Sequence, residues 1–274
     1  MPPRGAATQP APEEERAAQF EVIPLRGIAE EVLAQLTAGA RVTVAASPAQ
    51  GLPATLEVTC TLARHGFCAI PHLAARMLRD PGEVAEVLAR LGEAGVREVF
   101  VIAGDAPHPA GRFEGALDLL EVLSPSGMRA GIGAHPEGHP FLDEAAALSL
   151  LRAKAEHAAY AVTQMSFEAV PLLAWTRRLR EEGITLPVRP GIAAPASTAR
   201  LLRIGTRIGV GRSLRLLGAD GSGMLRLLGP GQWDPGPLLA QLASAAAEPG
   251  LALHGPHLYT FNAVRAAREA VTSW

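Results

Sequence analysis

The segment Arg129-Ala-Gly-Ile-Gly-Ala-His135-Pro-Glu137-Gly-His139-Pro140 joins a short apolar run to a loop of polar and rigid residues. Small apolar residues in an unbroken run are typical of a buried strand. The loop carries two imidazoles, a carboxylate and two prolines immediately after the strand ends. This concentration of functional groups predicts a site at the strand end. A rigid loop with hydrogen-bonded histidines is the simpler alternative.

The four-residue spacing of His135 and His139 raises the question of a metal site. Residues four apart share one face only when the segment is helical, which is how two histidines on a helix bind zinc. Pro136, Gly138 and Pro140 strongly disfavour a helix here. We therefore predict a loop that binds no metal and, as the functional interpretation, lines a pocket for an organic ligand.

Composition restricts the class of protein. The chain has 274 residues and a mass of 28.6 kDa, which suits one large α/β domain or two small ones. Apolar residues make up 48% and charged residues 19%, as in a soluble globular protein with a large core. The net charge of -2 predicts no basic surface for nucleic acid. No apolar run approaches the roughly 18 residues of a membrane span. We expect neither nucleic acid nor membrane as a partner, and the sequence leaves a homo-oligomer open.

Residues 1–17 differ in composition from the rest of the chain. Proline, alanine and glutamate dominate this segment, so we predict a disordered N-terminal arm, not a signal peptide or an anchor. Cys60 and Cys68 are too few for a disulfide framework. The expectation is a cytoplasmic protein whose single folded domain covers residues 18–274.

Short apolar runs alternate with helical patterns along the rest of the chain. About eight such repeats predict a (β/α)8 TIM barrel, with a doubly wound sheet as the alternative. The eighth unit is the least regular: residues 198–204 have a helical pattern, residues 218–223 a loop pattern, and residues 205–211 do not complete a GxGxxG dinucleotide motif. The predicted strands are residues 19–24, 41–46, 67–72, 98–105, 129–134, 160–164, 186–192 and 251–259.

Polar residues follow or end most of these apolar runs. In both folds the functional groups gather at the carboxyl ends of the strands. The pattern therefore predicts one pocket assembled from several strands. The residues at these positions are Glu21, Ser47, His72, Asp105, His135, Gln164, Arg189 and Tyr259.

Seven short motifs in the same order make the chain resemble the methylenetetrahydrofolate reductase family. The similarity covers nearly the whole chain after the arm. Phe20-Glu21-x-x-Pro24 resembles the family's Phe-Glu-Phe-x-Pro-Pro, Pro71-His72-Leu73 its Pro-His-Leu-Thr, Gly104-Asp105 the end of its Leu-Arg-Gly-Asp, and residues 134–140 its Gly-Tyr-Pro-Glu-x-His-Pro. Thr163-Gln164 with Phe167, Pro190-Gly191-Ile192 and Tyr259-Thr260-x-Asn262 resemble its Thr-Gln-x-x-Phe, Pro-Gly-Ile and Tyr-Thr-Leu-Asn.

The resemblance implies a (β/α)8 oxidoreductase of one-carbon metabolism. Such an enzyme reduces 5,10-methylenetetrahydrofolate to 5-methyltetrahydrofolate, with FAD carrying hydride from NADH or NADPH. Glu21 matches the general acid that opens the substrate ring to an iminium ion. Burial of a carboxyl group in an apolar strand raises its pKa, which suits that role. The alternative for Glu21 is a salt bridge at the strand end, for example to Arg26.

The resemblance also implies which residues bind substrate and cofactor. Asp105 matches an acid between flavin and pterin, so the implied catalytic residues are Glu21 and Asp105. The alternative role of Asp105 is to cap the loop after the fourth strand. Gln164 matches a pterin-binding amide, with a satisfied core amide as the alternative, and Tyr259 belongs to the substrate-binding set. Lys154 could pair with a pyrophosphate or be a solvated helix charge. The implied cofactor-binding residues are His72, Gly104, Asp105, His135, His139 and Lys154.

Several departures from the family pattern fall on the flavin contacts. Ala103 stands where the family has the arginine of Leu-Arg-Gly-Asp, and Ala147 falls where an acidic ribose contact is expected. We therefore predict that FAD binds weakly or is absent, which leaves direct hydride transfer open. A non-catalytic folate-binding barrel and a folate enzyme that works in the oxidative direction are the alternative functions. The other departures are His135 in place of tyrosine, residues 44–47 in place of Val-Thr-Tyr-Gly, Leu216 near a stacking phenylalanine and Ala263 in place of arginine.

Overall fold

The computed structural model describes residues 16–139, 141–197 and 232–271. Eight of its strands are β1 (Gln19–Val22), β2 (Arg41–Val44), β3 (Cys68–Ala74), β4 (Glu98–Ile102), β5 (Arg129–Ala134), β6 (Tyr160–Ser166), β7 (Val188–Ala193) and β8 (His257–Tyr259). They form a closed parallel barrel in the order β1-β8-β7-β6-β5-β4-β3-β2, and β1 also pairs with β2. This closure confirms the predicted TIM barrel. The alternative of a doubly wound sheet is wrong, because such a sheet has two edge strands that are paired on one side only, whereas each of these eight strands pairs on both sides.

Eight α-helices of the described ranges follow the strands. At the start of the helix Pro81–Glu93, the side chain of Asp80 accepts a hydrogen bond from the backbone N–H of Glu83 at 3.0 Å and caps the helix. Val84, Val87 and Leu91 of that helix are buried, at the spacing of one helical face. No helix in these ranges is both long and apolar enough to cross a membrane. The helices are α1 (Ile28–Gln35), α2 (Gly51–Arg64), α3 (Pro81–Glu93), α4 (Ala116–Leu123), α5 (Glu144–Ala155), α6 (Ala169–Glu181), α7 (Gly236–Ala246) and α8 (Val264–Ala270).

The interior of the barrel contains a buried polar network beside a small cluster of apolar side chains, whereas the layer between strands and helices is apolar. Gln19, Arg41, Glu98 and His257 are all at most 5% exposed, and hydrogen bonds join them to one another. Buried polar groups are tolerated when they are paired in this way. The barrel therefore holds a hydrogen-bonded network beneath the carboxyl ends of its strands.

The last strand is shorter than the predicted residues 251–259. Only His257–Tyr259 joins the ladder, and Leu253 makes an isolated bridge to Val188. Ala252 has a φ of 50°, which interrupts the extended chain. The helix predicted at residues 198–204 and the loop predicted at 218–223 lie outside the described residues. A two-stranded antiparallel ribbon, Ala196–Ser197 with Gln232–Trp233, was not predicted.

Arg189 lies at the opposite end of the barrel from its predicted position. It is the second residue of β7, which continues to Ala193, so its assignment to a carboxyl end is wrong. Its Nη1 donates to the carbonyl oxygens of Ala17 at 2.8 Å and Gly255 at 3.1 Å. Ala17, although part of the predicted arm, is thus held against the barrel. Residues 1–15 lie outside the described ranges, so disorder there stays a prediction.

Candidate functional site

Glu21 lies at the centre of a cluster of ionisable side chains inside the barrel. Its Oε2 is 3.1 Å from Nε2 of His257 on β8 and 3.5 Å from Nε2 of His72 on β3. The parallel register of β1 and β8 places Glu21 beside Tyr259. Three strands therefore bring a carboxylate, two imidazoles and a phenol together at one place, as the strand-end pattern predicted for Glu21, His72 and Tyr259.

The two histidines hold Glu21 in its ionised form. Burial is the largest influence on this carboxyl group and raises its pKa, but the hydrogen bond with His257 and the electrostatic effect of His72 outweigh it. The pKa of Glu21 consequently lies below its ordinary value. The expected upward shift is wrong for the ligand-free protein, because it took account of burial and not of the imidazoles. The alternative partner, Arg26, is exposed and makes no ion pair with Glu21.

His72 is buried between Glu21 and an aromatic ring. It is 6% exposed, and its ring centroid lies 4.7 Å from that of Phe100. Burial lowers the pKa of His72 to about 4, although the nearby Glu21 acts in the opposite direction. The imidazole is therefore neutral at physiological pH. The structure places this residue, which the sequence resemblance assigns to the cofactor, against the carboxylate of the central cluster.

Sequence reasoning missed His257 and Gln19. The His257 side chain is 1% exposed and its Nδ1 lies 3.1 Å from Nε2 of the fully buried Gln19. A signal was available, because Gln19 precedes Glu21 by two residues and His257 precedes Tyr259 by two. Residues two apart in a strand share a face. The inward position of Glu21 and Tyr259 therefore implies inward positions for both missed residues.

The ladder between β6 and β7 is irregular at the mouth of the barrel. Its register shifts between Val162 and Met165, as at the β-bulges that occur beside many active sites. The carbonyl oxygen of Thr163 in this irregularity accepts a hydrogen bond from Tyr259 Oη at 3.0 Å. A Cβ on Gly191 would lie 2.1 Å from the same oxygen, so only glycine fits there. Tyr259 is thus fixed in place by the bulge.

Gln164 occupies the next position of the bulge and is half-buried. It lines a small cavity together with His135 and Glu137 of the loop after β5. This placement joins the predicted amide site to the histidine loop.

A larger cavity of about 360 Å³ opens between α5, α6 and the loop after β5. Lys154 Nζ donates to the carbonyl oxygen of Gly133 at 3.0 Å, and burial lowers the pKa of this lysine to about 8. The solvated alternative for Lys154 is wrong, because its ammonium group is turned inward. His135 and His139 line the same cavity, with their ring centroids 4.7 Å apart.

The histidine loop has the predicted conformation. Residues 135–139 form a turn and not a helix, and Pro140 lies outside the described residues. The backbone N–H of Phe141 donates to His139 Nδ1 at 3.3 Å. Burial, with His139 and Lys154 nearby, lowers the pKa of His135 to about 4. In the part of the chain that the structure describes, no group of three or more histidine, cysteine or acidic side chains is placed to hold a metal ion.

Gly104 and Asp105 follow β4 in a loop at the same end of the barrel. Gly104 has a φ of 89°, and a Cβ there would lie 2.9 Å from Cβ of Ala74, so glycine is required. Arg76 Nε fixes the loop by donating to the carbonyl oxygen of Ala106 at 2.7 Å. The Asp105 side chain is exposed and makes no hydrogen bond to the described residues. Within this part of the chain it therefore does not cap the loop, and its carboxylate is accessible.

The donors of the larger cavity fit the anionic part of a dinucleotide cofactor. Lys154 supplies an ammonium group, and His135 and His139 supply imidazole nitrogens, which suit phosphate and ribose oxygens. Ala103 offers only a methyl group in the loop after β4, and Ala147 lines the cavity with another. Two glutamate side chains also line the cavity, so the fit rests on few cationic contacts and is opposed by these carboxylates.

Comparison with known proteins identifies several similar sequences. The chain is similar to the 5,10-methylenetetrahydrofolate reductases of Escherichia coli (strain K12) and Shigella flexneri, with 31% identity over 133 residues in each case, which is 47% of this chain and 45% of those proteins. It is also similar to methylenetetrahydrofolate reductase 2 of Saccharomyces cerevisiae, with 25% identity over 167 residues, which is 56% of this chain and 25% of that protein. The matched region thus spans less than half the length of these relatives.

A family model described as methylenetetrahydrofolate reductase matches residues 29–210, which is more than half of the chain. That region contains five of the seven motifs, and the described part of it contains β2 to β7. The chain therefore belongs to the methylenetetrahydrofolate reductase family.

Proposed function

We propose that this chain reduces 5,10-methylenetetrahydrofolate to 5-methyltetrahydrofolate, with NADH or NADPH as the hydride donor. The observation that carries the proposal is the partly buried carboxylate of Glu21, whose Oε2 lies 3.1 Å from Nε2 of His257 at the catalytic end of the barrel. The reaction needs an acid at its centre, and this carboxylate with its two imidazoles is equipped to hold and release a proton. Family membership supports the choice of substrate.

Glu21 is the proposed general acid. The methylene carbon of the substrate is bonded to two nitrogens, and one of these C–N bonds breaks as Glu21 transfers a proton to the departing nitrogen. The remaining iminium carbon accepts a hydride and becomes the methyl group. Glu21 then takes a proton from solvent, so each turnover consumes one hydride and one proton.

Glu21 is ionised in the ligand-free protein, so substrate binding has to raise its pKa before it donates. The side chain is 18% exposed, and a pterin ring placed over it excludes the remaining water. Burial is already the strongest influence that raises this pKa, and removal of water strengthens it.

Gln164 and Asp105 are the proposed pterin-binding residues. A side-chain amide both donates and accepts, which matches the adjacent N–H and C=O groups of a pterin. The exposed carboxylate of Asp105 is free to accept from ring N–H groups. Tyr259 Oη is engaged by Thr163, so we assign its ring the role of an apolar wall.

Lys154, His135 and His139 are the proposed contacts to the phosphates of the cofactor. When bound, FAD would relay hydride from the nicotinamide to the substrate. Ala103 and Ala147 remove contacts that would hold it, so we propose that FAD binds weakly. Direct transfer from NADH or NADPH to the iminium carbon is then the alternative route.

The same departures at Ala103 and Ala147 favour a second candidate function, a folate-binding barrel without hydride transfer. The oxidative direction uses the same residues as reduction, because Glu21 then removes the proton that it otherwise supplies. Direction therefore depends on the ratio of the two folates and of the two nicotinamide forms.

An anaerobic assay separates these functions. The full chain is mixed with 5,10-methylenetetrahydrofolate and either NADH or NADPH, each with and without added FAD. We expect 5-methyltetrahydrofolate with at least one nicotinamide. Folate binding without product under all four conditions would overturn the reductase and support the binding protein.

A further inference from the structure

A chain of hydrogen bonds runs through the barrel interior and ends at Glu21. Glu98 Oε1 accepts from Arg41 Nη2 at 2.5 Å, and the same Nη2 lies 3.4 Å from Gln19 Oε1. Gln19 Nε2 lies 3.1 Å from His257 Nδ1, and His257 Nε2 lies 3.1 Å from Glu21 Oε2. Residues from β1, β2, β4 and β8 therefore form one connected path.

The chemistry of Arg41 fixes the direction of every bond in this path. A guanidinium group is a donor only, so the Gln19 atom facing Arg41 has to be its amide oxygen. The Gln19 amino group then faces His257 Nδ1 and donates to it. A ring nitrogen that accepts carries no proton, so this arrangement requires the tautomer of His257 with its proton on Nε2. Nε2–H consequently donates to Glu21 Oε2.

We propose that Gln19 is a positioning residue that sets the tautomer of His257 and thereby orients Glu21 for proton transfer. Gln19 is fully buried and Arg41 is 4% exposed, so water does not compete for these bonds. Both imidazoles approach the same carboxylate oxygen, Oε2. Among the described residues Oε1 accepts no hydrogen bond, so it is the oxygen that faces the substrate.

The groups around the path make a single tautomer the stable arrangement. His72 from β3 and Tyr259 from β8 face Glu21, and Phe100 from β4 stacks on His257 with ring centroids 6.4 Å apart. Arg129 from β5 pairs with Glu98, with Nη1 3.3 Å from Oε2. Burial keeps His72 neutral, and burial together with Glu21 raises the pKa of Tyr259. Neither side chain therefore offers a charge that would reverse the His257 tautomer.

The tautomer is measurable without any substrate. In the full chain labelled with ¹⁵N-histidine, long-range ¹H–¹⁵N correlation spectra show which ring nitrogen carries the proton, and the signals of His257 are assigned with His257→Gln. In the neutral form of His257 we expect an unprotonated Nδ1 and a protonated Nε2. A proton on Nδ1 in this neutral form would overturn the proposal.

Two variants of Gln19 change the tautomer in different ways. Gln19→Glu places a carboxylate between two donors, so we expect His257 Nδ1 to become protonated. Gln19→Met keeps the length of the side chain and removes the donor, so we expect a mixture of tautomers. Thr43→Val is the control, because Thr43 is fully buried on the adjacent β2 and its hydroxyl has no partner among the described residues. An unchanged His257 spectrum in both Gln19 variants would exclude control by Gln19.

The kinetic part of this inference rests on the proposed function. We expect Gln19→Met to lower kcat by about tenfold at nearly unchanged KM, the order expected for one lost aligning hydrogen bond. In Gln19→Glu we expect protons on both Nδ1 and Nε2, which makes the His257 ring cationic and favours ionised Glu21. The value of kcat/KM should therefore begin to fall at a lower pH than in the wild type. Wild-type pH profiles in both variants would overturn the positioning role. A chain with the expected tautomer and no reductase activity would refute the proposed function alone.

Discussion

Lys154 Nζ donates a hydrogen bond to the carbonyl oxygen of Gly133 at 3.0 Å and so ties α5 to β5 below the histidine loop. The bond holds a buried ammonium group at the wall of the larger cavity. Because burial lowers its pKa to about 8, this lysine is mostly protonated at pH 7 and loses its charge as the pH rises through about 8. The cavity thus contains a cation that is sensitive to mildly alkaline pH.

Cofactor binding should weaken as this charge is lost. The cationic form predominates below about pH 8 and the neutral form above it, so the affinity for FAD should fall as the pH rises through that value. Lys154→Met should weaken binding at pH 7 by about tenfold or more, since hydrogen bonds to charged groups contribute roughly 1.5–3 kcal/mol. Calorimetric titration measures both effects.

Arg152→Met is the matched control for this prediction. Arg152 lies in the same helix, but its Nη2 donates outward to the carbonyl oxygen of Glu182 at 2.8 Å. The variant removes one positive charge from α5 and leaves the cavity intact. Equal losses of affinity in the two variants would show that only net charge matters and that Lys154 makes no phosphate contact.

Glu21→Gln should fold and bind folate but lose most of its turnover. The amide oxygen can still accept from His257 Nε2, so the cluster keeps its geometry. It cannot donate an acidic proton, and general acid catalysis is typically worth about 10²-fold or more. Circular dichroism and folate titration establish folding and binding, and the anaerobic assay gives kcat. Turnover within a few-fold of the wild type would exclude Glu21 as the acid.

The histidine loop should hold no zinc. His135 and His139 lie in a turn with their rings edge to face, and His139 Nδ1 is occupied by the backbone N–H of Phe141. Zinc sites need three or four ligands that converge on one point. Elemental analysis of protein purified without chelator should therefore find no stoichiometric zinc. One equivalent per chain, lost together with activity on chelation, would contradict this.

The barrel was predictable because strand and helix periodicities are local properties of the sequence. The site was predictable only in part, because Glu21 could be placed at a strand end while its partners come from distant positions. His257 is 236 residues away from it in sequence, and nothing local pairs the two. The sign of the Glu21 pKa shift depends on that pairing. Arg189 was misplaced because an apolar run shows where a strand lies but not which of its residues ends the ladder.

The N-terminal arm should be dispensable up to residue 14. Its composition predicts that it cannot bury enough apolar surface to offset the entropy of ordering. Deletion of residues 2–14 should leave the melting temperature and activity unchanged within error. Deletion of residues 2–18 also removes the carbonyl of Ala17, which accepts from buried Arg189. A lost partner of a buried donor costs roughly 1–3 kcal/mol, so the longer deletion should lower the Tm by several degrees. A drop of that size in the shorter deletion would show that the arm packs on the barrel.

Flavin affinity should respond to one substitution in the loop after β4. Ala103 is exposed at the catalytic end of the barrel, so an arginine fits there without repacking. A charge-assisted contact to phosphate contributes roughly 1.5–3 kcal/mol, which corresponds to about ten- to a hundredfold in affinity. We therefore expect Ala103→Arg to tighten FAD binding to that extent, measured by quenching of flavin fluorescence.

Ala110→Arg controls for the added charge, because Ala110 is exposed in the same loop, beyond Asp105. It should leave FAD affinity nearly unchanged, and any small gain from net charge should disappear as salt is added. Stoichiometric FAD in the wild-type protein as purified would contradict weak binding and show that other residues replace the missing arginine. Reductase activity with no FAD binding, even in Ala103→Arg, would instead establish direct hydride transfer from the nicotinamide to the iminium carbon.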